Sequence, residues 1–544
     1  MIFVNFCALL ELLLVVFSTA FAANPLDVHL TTGTFRGVTR NDTEQWLGIP
    51  YAVPPVGARR FKAPVPLEAL DSASESTIVK DASEFGNACP QIPSESLGAQ
   101  VAEDCLYLNV WRPLNTSNNA KLPVLVWFHG GAYTNGAGSQ PSLVPTRIIL
   151  RSAAVKKAIL FVSVNYRLNT FGFLASSVIP KEDLNAGLLD QMEALRFLQR
   201  NIAAFGGDPS KVTIWGQSAG AGSVESMFLF SKPGERLFRA GIADSSTGPF
   251  KSSPPPATYD KPGKPFTRLL AATGCDAGAD AVQCLRDVPF EKLLNVSNEM
   301  ISNTLNNQLW QPTISPGTLF SAQASEKIKR GEFLHLPYLA GTNVNEGAGF
   351  SVSLRNKGLA GQAQDAAFDD FISRLLIDNS TVTKDVLQET HRLWAENDRT
   401  LGAPFNTGDS LFDRAESWYT DEMYLASRRL FFEHAAPRQD VFAYYFREFI
   451  PGNDPTLGVA HASELQLFYG PVPEVEVDFA NTMTDFYLNF IHDLNPGPQW
   501  PKYNLGTRPV LQLLRGNITV IPDDWDTDKT SFLNSERVLK EYQK

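Results

Sequence analysis

The chain has 544 residues, of which 44% are hydrophobic, and carries a net charge of −11 at pH 7. Such a chain can bury a large core, and an acidic balance without any basic run excludes the electrostatic footprint of a polyanion binder, so nucleic acid is not an expected partner. Length alone would suggest three or four domains, but there is no internal repeat, charge block or long low-complexity linker to divide them, and one large domain over residues 23–544 is expected.

Residues 1–22 read as a signal peptide: an apolar run from Leu12 to Phe17 precedes Ala20-Phe21-Ala22, a small-x-small site for cleavage before Ala23. The segment has no Lys or Arg, and Glu11 interrupts it, which leaves a membrane anchor as the alternative. No later run of 18 apolar residues follows, and the polar tail 535–544 does not fit a lipid-anchor signal, so a secreted, extracellular protein without a membrane span is expected. Cys7 leaves with the signal. The other four cysteines form two sequence-local pairs, Cys89 with Cys105 and Cys275 with Cys284; three connectivities exist and short-range closure favours this one. No closely spaced Cys or His pair suggests a metal site, and no cofactor is expected. Asn41, Asn115, Asn295, Asn379 and Asn517 each begin an Asn-x-Ser/Thr sequon, compatible with a glycoprotein.

Further along, strand-like runs at 122–128, 158–166, 211–215 and 238–245 alternate with helical patterns, including 187–205. The alternation predicts an α/β fold with a large, mostly parallel sheet flanked by helices, and the continuous apolar runs predict burial on both faces. From about 365 to 435 the periodicity is helical, with stripes that read as core. Strands resume at 441–446, 510–514 and 518–521.

Gly216-Gln217-Ser218-Ala219-Gly220 follows the strand 211–215 and opens a small-residue helix. This is the pattern of a nucleophile elbow, in which the two glycines permit a sharp strand-to-helix turn and Ser218 Oγ is left exposed at its tip. A serine hydroxyl needs a base, and the base needs an acid to orient it. Among seven histidines, His461 follows the strand 441–446 through a Gly-containing loop and is the candidate base. His29, His391, His434 and His492 read as structural or surface residues, and His335 is a weak candidate. The order nucleophile, acid, base places the acid between Ser218 and His461, where Glu346 ends a strand-and-turn segment at 336–347. The Gly-rich loop Phe128-His129-Gly130-Gly131-Ala132 follows a buried strand; the backbone N–H groups of Gly131, Ala132 and Ala219 are candidate oxyanion donors.

These motifs, together with Leu47-Gly48-Ile49-Pro50-Tyr51-Ala52, Pro54-Pro55-Val56-Gly57, Arg60-Phe61, the block from Glu103 to Val110, Val164-Asn165-Tyr166-Arg167-Leu168 and Asn185-Ala186-Gly187-Leu188 with Asp190-Gln191, resemble the type-B carboxylesterase and lipase family, which includes cholinesterases and fungal lipases. The resemblance covers nearly the whole mature chain. It implies an α/β-hydrolase fold, a triad of Ser218, Glu346 and His461, and both disulfides, the first closing a loop that forms a lid or gorge wall in relatives. Two departures bear on substrate. Gln217 stands where many relatives carry Glu, so a carboxylate favouring cationic substrates is absent. The 15 residues between Cys89 and Cys105 contain no Trp and few apolar side chains, arguing against both a quaternary-ammonium site and a large amphipathic lid. Ala132 replaces a third Gly and adds a methyl near the oxyanion site.

The expected activity is that of a secreted, cofactor-independent serine carboxylic ester hydrolase acting through an acyl-enzyme on neutral, partly apolar small-molecule or lipid esters. A triacylglycerol lipase using the helices at 410–432 as an acyl tunnel is the alternative. An inactive adhesion module on the same fold is disfavoured, because all three triad positions are filled.

Overall fold

A computed structural model describes residues 24–68, 78–232, 234–246, 248 and 252–544. The expected signal segment 1–22 lies outside these described residues. Fourteen strands are described. The first five are β1 (Asp27–Leu30), β2 (Gly33–Arg36), β3 (Val38–Arg40), β4 (Thr43–Pro50) and β5 (Val79–Asp81). Next come β6 (Tyr107–Pro113), β7 (Leu122–Phe128), β8 (Leu160–Val164), β9 (Gly207–Gln217) and β10 (Ala240–Asp244). The last four are β11 (Tyr338–Asn343), β12 (Val441–Phe446), β13 (Pro509–Leu513) and β14 (Thr519–Pro522).

β1, β2 and β5 form a small sheet, and the others form one of 11 strands in the order β14-β13-β12-β11-β10-β9-β7-β8-β6-β4-β3. From β8 across to β13 the neighbours run parallel, and antiparallel strands finish both edges. The parallel part is apolar on both faces because helices cover both. In β7, Val124, Val126 and Phe128 pack into one core while Leu125 and Trp127 pack into the other, as the two-residue period of a strand requires. A third cluster, containing Phe368, Phe371, Trp418 and Tyr419, is built from the 365–435 helices and the C-terminal Val538 and Tyr542.

The short sequence blocks resembling the family resolve into staples. Arg60 and Glu103 pair at 2.6 Å, and Arg167 and Asp190 pair at 2.7 Å with both side chains buried. Removing one partner of such a pair would strand a buried charge, which costs about 3–5 kcal/mol. Both disulfides, Cys89–Cys105 and Cys275–Cys284, are present, with Cα atoms 4.9 and 5.8 Å apart. The helical expectation at 187–205 becomes the helix Ala186–Asn201 followed by a tighter 3₁₀ turn, Ile202–Phe205.

The parallel order sets the site. β7, β9, β11 and β12 all deliver their following loops to the same carboxyl edge of the sheet, where α/β folds form their crevices.

Candidate active site

β9 ends at Gln217, and Ser218 takes φ 59° and ψ −124° immediately before the helix Ala219–Phe230. A residue with a side chain in that region costs on the order of 1–3 kcal/mol and persists only where its surroundings enforce it. Two constraints do so. The Ser218 N–H donates to the Asp244 carbonyl at 2.9 Å, and the elbow is jammed against itself and β7: a Cβ on Gly216 would strike the Gly220 backbone, and one on Gly220 would strike the Phe128 carbonyl.

Glu346 follows β11 and is completely buried. Its Oε1 accepts from Ser245 Oγ and from the Asn343 N–H, each at 2.6 Å. Its Oε2 lies 2.6 Å from His461 Nδ1. The two loops that carry Glu346 and His461 are zipped together: the Asn345 N–H donates to the Val459 carbonyl at 3.0 Å, Asn345 Oδ1 accepts from the Val459 N–H at 3.1 Å, and Asn343 Nδ2 donates to the Ala460 carbonyl at 2.9 Å. Acid and base therefore sit on one rigid double loop, 115 residues apart in sequence.

A carboxylate only accepts, so the imidazole proton resides on Nδ1 facing Glu346, and Nε2 presents its lone pair. Gln217 Nε2 lies 3.1 Å from that atom and donates to it. Among the described residues no hydrogen bond joins Ser218 Oγ to His461. Ser218 and His461 nevertheless line the same cavity of about 430 Å³, together with Gly131, Ala132 and Ala219. No hydrogen bond among the described residues engages the N–H of Gly131, Ala132 or Ala219. Ala132 adopts φ 56° and Gly131 φ 105°, which turns their shared loop towards the nucleophile.

His129 takes no part in this arrangement. It is buried, stacked on Tyr166 with ring centroids 4.4 Å apart, and burial drives its imidazole down to about 4. Asp244, the acid at the end of β10, is held by Trp215 Nε1 and Tyr487 OH at 2.7 Å each; burial pushes its carboxyl up to about 6 despite these donors. Glu464 is also buried, and burial followed by repulsion from Asp244 and Glu346 keeps its carboxyl well above the usual range.

Several participants have no signature in the sequence. Ser245 and Asn343 support Glu346. Phe350, with its ring centroid 5.3 Å from that of His461, and Tyr424, at 4.9 Å, wall the base. Tyr419, Met423 and Tyr424, from the segment expected to be helical, line the cavity, and the π-helical turn Asp421–Leu425 presents the last two. None of the described residues between Cys89 and Cys105 lines it. That loop is instead pinned: Gln91 Nε2 donates to the Gly136 carbonyl at 2.9 Å, and its Oε1 accepts from the Gly136 N–H at 2.8 Å. The disulfide-closed loop, a lid or gorge wall in relatives and expected here to be too short and polar for a large lid, thus packs beside the oxyanion loop and contributes none of its described residues to the cavity lining.

The profile of the carboxylesterase family matches residues 24–529. The chain belongs to that family. This carboxylesterase is 32% identical over 537 residues to "Secreted lipase 1" of Botryotinia fuckeliana (strain B05.10), covering 90% of this chain and 88% of that one. It is 31% identical over 517 residues to the para-nitrobenzyl esterase of Bacillus subtilis (strain 168), covering 90% and 95%. The crystal structure of Aspergillus niger EstA superposes with a TM-score of 0.80 at 25% identity, covering 95% of this chain and 99% of that one. The carboxylesterase is thus a carboxylic ester hydrolase on an α/β-hydrolase fold. Among its described residues no helix is long and apolar enough to cross a membrane.

Proposed function

We propose that residues 23–544 act as one hydrolase unit in which Ser218 is the nucleophile, His461 the general base and then acid, and Glu346 the orienting carboxylate. Substrate entry brings the Ser218 hydroxyl to His461 Nε2 in place of the Gln217 amide. Ser218 Oγ attacks the ester carbonyl, its proton passes to Nε2, and the charge on the carbonyl oxygen is taken up by the free N–H groups of Gly131, Ala132 and Ala219. His461 returns the proton to the leaving alcohol, and water repeats the sequence on the acyl-enzyme. The observation carrying this reading is the 2.6 Å contact between His461 Nδ1 and Glu346 Oε2 on the wall of a cavity that also holds the strained Ser218.

The substrate is a neutral, partly apolar ester. Among the described residues no Asp, Glu, Lys or Arg lines the cavity, while Phe350, Tyr419, Met423 and Tyr424 do. A lipase reading draws on the name of the Botryotinia relative and on the contribution of the 410–432 segment to the wall. Secretion is supported by the segment 1–22, the two disulfides and the relative named as a secreted lipase. Asn41, Asn115, Asn295, Asn379 and Asn517 are all exposed, as acceptors of N-linked sugar must be.

Labelling with an organophosphonate ester tests the assignment. Modification of Ser218 alone, with complete loss of p-nitrophenyl acetate hydrolysis, is expected. Loss of activity with Ser218 unmodified overturns it.

A further inference from the structure

The wall of the cavity contributed by residues 306–311 is amide-rich. Asn306, Asn307, Gln308 and Gln311 line the same space as Ser218 and His461. Gln311 is only 3% exposed, yet its carboxamide makes no hydrogen bond among the described residues; only its backbone carbonyl is used, accepting from Tyr259 OH at 3.3 Å. Gln308 Nε2 donates to Tyr419 OH at 3.3 Å, while Gln308 Oε1 and Asn306 Nδ2 make no hydrogen bond among the described residues. A buried carboxamide atom left unpaired is costly, which applies to Gln308 Oε1 and Asn306 Nδ2, whereas the Gln311 amide fronts the cavity with its hydrogen-bonding capacity unused.

The segment is also fixed in place. Asn185 clamps it through Nδ2 to the Thr313 carbonyl and Oδ1 from the Thr313 N–H, each at 2.8 Å. Trp310 is buried, stacks on Tyr259 and donates from Nε1 to Thr170 Oγ1 at 2.9 Å. The amides are therefore held ready rather than recruited, so a ligand that pairs with them bears little ordering cost.

Resting on the esterase reading above, we infer that Asn306, Gln308 and Gln311 form a hydrogen-bonding subsite for an uncharged hydroxyl group on the non-reacting part of the ester. A carboxamide donates and accepts at once, which matches a hydroxyl, and the wall formed by the described residues carries no ionic side chain to pair with a charged group. The preferred substrates are hydroxylated esters, not plain alkyl esters of the same length. A site built to bind a hydroxyl discriminates against the analogue lacking it, because its own polar groups are then buried unpaired.

The test compares kcat/KM, by proton release, within two matched pairs: methyl 3-(4-hydroxyphenyl)propanoate against methyl 3-phenylpropanoate, and methyl 6-hydroxyhexanoate against methyl hexanoate. In at least one pair the hydroxylated ester is expected to be favoured by about tenfold or more. In Gln311→Met, of similar volume and without the amide, that ratio is expected to fall to about one; if this variant does not fold, Gln308→Met is read in the same way. Ratios at or below one in both pairs, from enzyme that cleaves p-nitrophenyl acetate, overturn the subsite. A ratio unchanged in the folded variant also overturns it. Enzyme that cleaves none of these esters and fails to label at Ser218 overturns the esterase reading itself.

Discussion

Gln217 donates its side-chain amide to His461 Nε2 at 3.1 Å, occupying the lone pair that the proposed reaction needs for Ser218. The residue is adjacent to the nucleophile in sequence, so the elbow that presents Ser218 also presents this competitor. Because a carboxamide can turn, Gln217 donates to the neutral imidazole and its oxygen can accept from the protonated one.

Gln217→Glu tests the electrical consequence. A carboxylate beside Nε2 favours the imidazolium, and an imidazolium cannot accept the serine proton. The acidic limb of the kcat/KM profile is therefore expected to move to higher pH, by about one unit or more, with the plateau reached only in mildly alkaline buffer. A pH–rate profile of wild type and variant on p-nitrophenyl acetate measures it.

Ser218→Ala and His461→Ala should each lose about as much activity as the double variant, a fall on the order of 10³-fold or greater, since members of a triad act as a unit. Independent multiplicative losses, measured as kcat on one soluble ester, would separate His461 from Ser218.

Glu346→Gln keeps the shape of the side chain but removes the charge that fixes the His461 proton on Nδ1. A fall in kcat of about 10³- to 10⁴-fold is expected, with the circular dichroism spectrum unchanged. Ser245→Ala removes only one of the donors to Glu346 and leaves the carboxylate, so it should lose far less, about tenfold.

Two acids behind the cavity wall make stability depend on pH. Burial pushes Glu416 up to about 8, helped by repulsion from Asp421, and pushes Asp421 up to about 8, helped by Asp526 and opposed by Lys529. Both folded values stand above the unfolded ones, so the stabilisation is complete below about pH 4 and is lost as pH rises towards 8, because the unfolded chain ionises first. Over that interval these two groups lower Tm as pH increases. Thermal melts at pH 5 and pH 8 should show the fall, and Glu416→Gln should show a smaller one.

The pinned loop between Cys89 and Cys105 bears on lipase behaviour. Ile92 is its one large exposed apolar side chain, while Leu97 is buried against Ala88 and Ala137. With so little apolar surface to reveal at an oil interface, rates should saturate smoothly across the solubility limit of a short-chain ester. Choline esters should show no advantage over neutral esters of the same acyl group, because Gln217 supplies no charge. A sharp rise above the solubility limit, or a strong choline preference, would contradict this.

Sequence by itself determined what is local. The elbow is written in five consecutive residues, so Gly216, Ser218 and Gly220 announce the turn in the sequence, although the Phe128 carbonyl that forbids a side chain at Gly220 comes from a distant strand. The central parallel strands are equally legible, since burial on both faces leaves continuous apolar runs at 122–128 and 441–446. The antiparallel edge was not. β4 is largely buried yet contains Glu44 and Gln45, and Glu44 is tolerated only because Arg112, 68 residues away, pairs with it at 2.6 Å.

Tertiary structure alone decided the contacts around the base. His461 and Glu346 could be nominated by chain order, but their separation depends on two loops zipped through Asn343 and Asn345. Nothing in the sequence marks residues 306–311 as facing Ser218 either. Their amides have no motif, and their meaning comes from lining the cavity of Ser218 and His461 with hydrogen-bonding capacity left over, a property that exists only once the chain is packed.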